Sequence, residues 1–387
     1  GNTVNSNHPI VREMIFHCLR HWVYNYHIDG FRFDLASILS RNRNGEIVPN
    51  PPLVEYIGED PMLSDTKIIA EAWDAAGAYQ VGSFATRRWA EWNGAYRVNV
   101  RRYWRGDLCM TGPMATRLAG SSDLYQSSGR QPYHSINFVT SHDGYTLNDL
   151  VSYERKHNLA NGEDNRDGDN NNYSANYGVE GPTRRVPIRT LRRRQAKNFM
   201  ATLMLSQGVP MMVSGDEVLR TQRGNNNAYC QDNALSWFDW RLTQRNAEMY
   251  RFTKGVIDLR RRQPTLRRAD FLTGAPHQPG DLPDVSWYGV GGDRIDWNHT
   301  FHSLTCLLGS TGIEDSAARH VLIMMHSGGQ PQTFQAPKSA RREEWRLVSD
   351  TAAESPADIF VETRGPELDA DQPISMEHHS MRVYVAR

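Results

Sequence analysis

The chain has 387 residues, with 44 Lys and Arg balanced by 44 Asp and Glu, and is 39% hydrophobic and 10% aromatic. That is enough apolar material for a large barrel or for two to three domains, and it excludes a chain disordered as a whole. The charge balance argues against a protein built chiefly to hold nucleic acid or an anionic membrane surface, and no run approaches the roughly 18 apolar residues of a membrane span.

Residues 9–27 read as an amphipathic helix. Ile10, Met14, Ile15, Leu19, Trp22, Val23 and Tyr26 recur at helical spacing, with Asn7 as N-cap and Pro9 in the first turn. Gly30 then leads into Phe31-Arg32-Phe33-Asp34, where alternation puts both Phe on one face and Arg32 with Asp34 on the other. The run Lys67–Ala70 ends in Glu71, and Ser135–Thr140 ends in Ser141-His142-Asp143. Residues 161–185 are dense in Asn, Asp and Gly and read as a long loop. A helix over 191–206 precedes the strand Val209–Val213 and then Asp216-Glu217, and a further helix spans 247–262. Short apolar strands alternating with helices predict a parallel α/β sheet or barrel. From about residue 266 the texture changes to β-like runs, at Val285–Tyr288, His320–Met325, Trp345–Val348 and Ser380–Val385. These predict a C-terminal antiparallel β domain over 266–387, after an α/β region over 1–265.

Cys18, Cys109, Cys230 and Cys306 are far apart and form no C-x-x-C pair. Neither a zinc site nor a disulfide framework is signalled, and scattered thiols fit a reducing compartment such as the cytoplasm. A Ca²⁺ site within the Asn/Asp-rich loop is conceivable from its composition, but no EF-hand spacing occurs there, and no metal site or cofactor is assigned. The runs Arg192–Arg194 and Arg260–Arg262 read as solvated helix faces.

Asp34, Glu71 and Asp143 each follow an apolar run. In a parallel barrel the C-terminal strand ends converge on one rim, so three acids from three strands can meet there. Such a set suits glycoside hydrolysis: one carboxylate attacks, one acid protonates the leaving oxygen, and a third stabilises the cationic sugar. Taken singly, an Asp at a strand end more often reads as the cap of the next helix. Arg32 reads as an ordinary ion pair or as the group that keeps Asp34 ionised and aimed. His142 reads as a packed histidine or a donor to sugar hydroxyls.

Gly30-Phe31-Arg32-Phe33-Asp34, Glu71-Ala72-Trp73-Asp74 and Phe138–Asp143 resemble three ordered blocks of the α-amylase superfamily of glycoside hydrolases. Tyr79–Gly82, Trp89–Gly94, Trp104–Asp107, Lys156–Glu163 and Thr221–Trp240 narrow the resemblance to its isoamylase and glycogen-debranching branch, over residues 1 to about 300. The resemblance implies a (β/α)8 TIM-type barrel, here only about strands four to eight, followed by a C-terminal antiparallel β-sandwich, in a chain lacking the family's N-terminal part. Asn7-His8 is not equated with the Asn-His pair of the family's first block, and Tyr96-Arg97-Val98 departs from the family, which usually has Asp after the Arg.

By the same resemblance Asp34 is the nucleophile, Glu71 the general acid and then base, and Asp143 the transition-state stabiliser, supported by Arg32 and His142. Trp73, Trp89, Trp92 and Tyr79 are candidates for stacking on glucose rings, with core packing the plainer reading of each Trp, and Asp216 and Arg220 are candidates for lining the pocket, with helix capping as the alternative. The expected activity is hydrolysis of α-1,6 branch linkages in glycogen, amylopectin or limit dextrin, with no nucleic acid or membrane partner. Rival readings are an α-1,4-acting member of the superfamily and a non-catalytic α-glucan-binding homologue.

Overall fold

A computed structural model describes residues 3–85, 87–298, 302–361 and 364–387. The chain forms two compact units, one of Gly1–Ala95, Ser121–Asn137 and Ala269–Phe271, the other of Tyr96–Gly120, Phe138–Arg268 and Leu272–Arg387.

In the first unit, α1 (Pro9–Tyr26) precedes β1 (Gly30–Phe33), α2 (Pro52–Glu59), β2 (Lys67–Ala70) and β3 (Trp89–Trp92). The helix α3 (Gly94–Arg105) follows β3, and β4 (Ser135–Phe138) follows the helices α4 (Thr111–Leu118) and α5 (Ser122–Tyr125). β1, β2, β3 and β4 pair in chain order and all in parallel, with Phe33 opposite Ala70 and Ala70 opposite Glu91. Parallel pairing of successive strands requires a crossover between them, and α2 lies between β1 and β2. The core of this unit joins Ile68 and Ala70 to Leu53, Val54 and Ile57 of α2 and to Phe16 and Leu19 of α1. Phe33 and Trp89 meet edge to face at 4.9 Å.

Two details of α1 differ from the sequence expectation. Its N-cap is His8, whose Nδ1 accepts the Ile10 N–H at 3.3 Å, while Asn7 donates to the Arg41 carbonyl at 3.0 Å. Its buried residues are Phe16 and Leu19; Ile10, Met14, Trp22 and Tyr26 of the apolar stripe are exposed.

The second unit continues from β4 through α6 (Leu147–Leu150), α7 (Val186–Leu205), β5 (Val209–Met211), α8 (Leu242–Arg245) and α9 (Ala247–Arg262). The C-terminal strands are β6 (Val285–Tyr288), β7 (Ser303–Leu308), β8 (Val321–His326), β9 (Gln332–Phe334), β10 (Trp345–Asp350), β11 (Ile374–Met376) and β12 (Ser380–Ala386). Five of them form a sheet in the order β10-β12-β8-β7-β6, antiparallel throughout, and β9 pairs with β11.

Both faces of this sheet are buried, so β7 and β8 are buried along their whole length, Ser303, Thr305 and His326 included. On one face Leu304, Cys306, Ile323, Met325 and Val383 share a core with Phe199, Met200 and Leu203 of α7 and Phe252 of α9. On the other, Leu307, Leu322, Met324 and Tyr384 pack with Phe334, Ile374 and Met376 of the β9–β11 ribbon. The helices and the C-terminal strands therefore share one apolar interior, which places them in the same compact unit.

In the arginine runs, Arg193, Arg261 and Arg262 are exposed as a solvated face requires, and Arg192 and Arg260 depart from that expectation. Arg192 is buried and donates to the carbonyls of Gly181 at 2.6 Å and Asn176 at 2.7 Å. Arg260 is buried and donates to Met204 and Ser206 carbonyls, both at 2.8 Å, and to Gly208 at 2.6 Å. A guanidinium thus closes the C-terminal end of α7, where helix carbonyls lack partners of their own.

The Asn-rich loop is an ordered amide network. Asn226 is buried; its amide donates to the Asp169 carbonyl at 2.8 Å and Asn172 Oδ1 at 2.9 Å, and accepts from Asn158 at 2.9 Å. Gly168, at φ 72°, lies so close that a Cβ there would stand 2.2 Å from Asn226 Oδ1. The composition that marks a loop here also supplies the loop's internal hydrogen bonds.

Candidate active site

The first unit brings Asp34 and Glu71 together. β1 and β2 are adjacent and in register, and both chains turn away one residue after Phe33 and Ala70. The Glu71 N–H donates to the Phe33 carbonyl at 3.0 Å, so the two acids sit side by side at neighbouring strand ends.

Arg32 lies between them. Its Nη1 is 2.5 Å from Asp34 Oδ1 and its Nη2 is 2.9 Å from Glu71 Oε1. One guanidinium fork spans both contacts, which keeps these two oxygens within roughly 8 Å. The second contact is an ion pair without hydrogen-bond geometry. The guanidinium carbon also stands 4.1 Å from the centroid of Trp92, so the cation rests on an aromatic face.

The two acids differ in setting. The Glu71 side chain is 3% exposed and that of Asp34 71% exposed. Glu71 Oε2 accepts the Leu35 N–H at 2.7 Å, and its carbonyl accepts the Ala36 N–H at 2.8 Å. Leu35 has φ 41°, a conformation costly for a branched side chain, and it is the residue directly after Asp34. The turn that aims its N–H at Glu71 is thus held in a strained form.

Trp73 and Tyr79 stack at 6.2 Å with ring planes 13° apart, and Tyr79 is exposed. The turn between them is tied by Asp74, whose carboxylate accepts from Ala76 and Ala78 N–H at 2.9 and 3.0 Å and pairs with Arg41 at 2.7 Å. The Arg41 hydrogen bond holds the Asp74 carboxyl below the usual carboxylate range, against burial. Trp92 is buried and serves as the floor beneath Arg32.

Asp143, His142, Asp216 and Arg220 belong to the second unit. Asp143 is partly exposed; its Oδ1 accepts from Ser141 Oγ at 2.7 Å and lies 3.6 Å from His142 Nδ1. Asp216 is buried, accepting from the Thr140 hydroxyl and from the Leu147 N–H at 2.8 Å. Burial pushes its carboxyl up to about 6, opposed by those hydrogen bonds. Asp216 thus ties the segment carrying Asp143 to α6. Arg220 donates to the Ser236 carbonyl and to Gln222 Oε1, both at 3.1 Å.

Several buried acids escaped the sequence reading, Glu91 and Asp149 among them. Glu91 on β3 pairs with Arg130, and both side chains are 0% exposed. Glu91 Oε2 also accepts the Gly82 N–H at 2.5 Å, and Arg130 donates to the Gly82 carbonyl. Asp149 accepts from the Thr221 hydroxyl at 2.5 Å and the Gln222 N–H at 2.8 Å, fixing the start of the 221–233 segment. Each lies in a segment the resemblance had marked or beside one, but neither ends a strand, the only positional signal used.

Among the described residues, no group of three or more His, Cys, Asp or Glu is placed to hold a metal ion, and no helix is long and apolar enough to cross a membrane.

No family model matches the chain. Curated relatives do. A glycogen operon protein GlgX homolog of Mycobacterium tuberculosis is 50% identical over 306 residues, covering 78% of this chain and 42% of the relative. Isoamylase 3, chloroplastic, of Oryza sativa is 45% identical over 364 residues, covering 94% and 44%. A glycogen debranching enzyme of Erwinia tasmaniensis is 47% identical over 308 residues, covering 79% and 45%. The chain therefore spans less than half the length of these relatives. Among solved structures, a pullulanase from Bacillus acidopullulyticus superposes with a TM-score of 0.71 at 19% identity, over 100% of this chain and 41% of that one. A Bacillus subtilis pullulanase complexed with maltose gives 0.69 at 19% identity, over 100% and 47%. These structures share the fold: an α/β region followed by an antiparallel β domain.

Proposed function

We propose that this chain, which belongs to the isoamylase and glycogen-debranching family of glycoside hydrolases, cleaves α-1,6 branch linkages in glycogen or a related branched α-glucan with retention of configuration. The observation that carries the reading is the single Arg32 guanidinium in contact with both Asp34 and Glu71 at the ends of adjacent parallel strands. A retaining mechanism needs its two carboxyl groups about 5–5.5 Å apart, and a guanidinium shared by both acids supports a short separation of that order.

In this mechanism Asp34 attacks the anomeric carbon while Glu71, carrying a proton, hands it to the leaving glycosidic oxygen. A β-linked glycosyl ester forms on Asp34. Glu71, now a carboxylate, takes a proton from water as that water attacks the same carbon, and the α-anomer is released. Arg32 aims the Asp34 carboxylate, and the Leu35 N–H fixes the rotamer of Glu71. Asp143 stabilises the developing charge on the sugar and His142 donates to its hydroxyls. Trp73 and Tyr79 offer aromatic surface to glucose rings, and Asp216 and Arg220 shape the Asp143 side. The strands β1 to β5 stand for strands four to eight of a (β/α)8 barrel, with a β-sandwich beyond a boundary near 265/266, and the site of action is cytoplasmic.

The test is to incubate the protein with glycogen and a short branched malto-oligosaccharide and follow linkage and anomer by proton NMR. Loss of α-1,6 signal with first appearance of the α-anomer supports the reading, as does loss of turnover by about 10²–10⁴-fold in Glu71→Gln. Release of the β-anomer, cleavage confined to α-1,4 linkages, or unchanged turnover in Glu71→Gln would refute it.

A further inference from the structure

We propose that the second unit carries an additional binding site for an α-glucan chain, in a polar cavity lined by residues 170–175, Tyr177, Gly178, Arg105 at the end of α3 and His379 before β12. The inference rests on the glucan reading above and adds a place where the polymer is held. None of Asp34, Glu71 and Asp143 lines this cavity, whose volume is about 580 Å³. That size falls within the roughly 300–1,000 Å³ typical of small-ligand pockets.

Three bulky residues on its wall have left-handed backbone: Tyr173 at φ 51°, Tyr177 at φ 55° and His379 at φ 47°. Such conformations are costly for large side chains and gather where a surface is shaped for a ligand. Here they are held from behind. The Tyr177 and His379 rings meet edge to face at 6.3 Å, the Asn198 amide donates to the His379 carbonyl at 2.8 Å, and Asn172 is locked to Asn226 at 2.9 Å.

The chemistry of the lining selects the ligand class. The side-chain amides of Asn170 and Asn171 are exposed and make no hydrogen bond among the described residues, so each offers both donor and acceptor. Tyr173 supplies an aromatic ring, with the Arg105 guanidinium 5.4 Å from its centroid. Arg105 and Arg102 share the Asp107 carboxylate, Arg105 through two contacts of 2.6 Å and Arg102 at 2.8 Å, and Glu154 on the wall balances the remaining positive charge. A cavity without surplus charge, with free amides beside an aromatic ring, fits a neutral polyhydroxylated chain better than an anion or an apolar molecule.

The test uses Tyr173→Gly and the double variant Asn170→Ala/Asn171→Ala. Glycine accepts a positive φ freely, so Tyr173→Gly removes the ring without forcing the loop out of shape. Maltoheptaose binding is measured by titration calorimetry, glycogen retention by affinity electrophoresis, and turnover on a short branched malto-oligosaccharide in parallel. Expected are a glycogen affinity lowered about tenfold, equal to about 1.4 kcal/mol, unchanged turnover of the short substrate, and a melting temperature no lower than that of the parent for Tyr173→Gly. Parent-like maltoheptaose and glycogen binding in both variants overturns the second site while leaving the hydrolytic reading intact. If the parent turns over neither substrate, the hydrolytic reading fails, and maltoheptaose binding that depends on Tyr173 still upholds the site. A parent that binds no maltoheptaose overturns it.

Discussion

Replacing Arg130 by Met isolates the contribution of the buried pair under the Tyr79 turn. Arg130 and Glu91 are both 0% exposed, so neither charge has water as an alternative partner. The substitution removes the cation from Glu91, the donor from the Gly82 carbonyl, the 2.9 Å bond to Ser128 Oγ and the stacking on Tyr125 at 4.9 Å. Glu91 is left with N–H donors only, among them Gly82 at 2.5 Å. Breaking a buried ion pair from one side costs about 3–5 kcal/mol, because the other charge stays buried.

The cost has a pH signature. Burial already raises the Glu91 carboxyl above its ordinary value, and Arg130 is the largest opposing influence. Without Arg130 the folded state binds a proton at Glu91 over a wider range than the unfolded chain does. Stability of Arg130→Met therefore falls as pH rises through that range, by up to about 1.4 kcal/mol per pH unit. Urea unfolding of the parent, Arg130→Met, Glu91→Gln and the double variant at pH 5 and pH 7.5 measures both quantities. The double variant should be more stable than the sum of the singles by about 2 kcal/mol or more, since it leaves no unpaired charge. An Arg130→Met variant destabilised by less than 1 kcal/mol, roughly equally at both pH values, would refute the reasoning.

Three further outcomes are expected. Arg32→Met should lower kcat by about 10²–10³-fold with little change in melting temperature, because the guanidinium aims Asp34 and Glu71 and rests on Trp92 without filling a core; parent-like kcat would remove Arg32 from the mechanism. Asn226→Ala should cost about 2–3 kcal/mol in urea unfolding, since it strands donors and acceptors of Asn158 and Asn172 in a buried network; a change within 0.5 kcal/mol would show the loop is held otherwise. His379 and Asp216 should give opposite pH dependences. Burial pushes His379 from 6.5 down to about 4, so the stability it contributes is present above 6.5 and lost as pH falls toward 4. Asp216 is pushed from 3.8 up to about 6, so stability falls as pH rises between those values. His379→Asn should flatten the acid limb of a melting-temperature profile and Asp216→Asn the rise in stability on acidification; unchanged profiles would dissociate these groups from it.

The α/β alternation was legible in the residues alone, because Phe31 to Phe33 and Lys67 to Ala70 are short, largely apolar runs punctuated by turns, and that pattern is local. Asp34 and Glu71 were legible there too, because each directly follows such a run. The partners of the buried charges came into view only in the folded chain. β3 is short and interrupted by Glu91, and reads as a strand only once Arg130, 39 residues away, neutralises that charge. Arg192 and Arg260 looked like solvent-facing charge until the carbonyls of residues 176–181 and the end of α7 came into reach. The second face of the C-terminal sheet was equally hidden: the alternating Ser303-Leu304-Thr305-Cys306 of β7 reads as a strand with one face in water, yet all six residues of the strand are buried. Periodicity reports which face of an element avoids water. It carries no information on which distant charge or amide will meet a buried one, and that pairing is what folding adds.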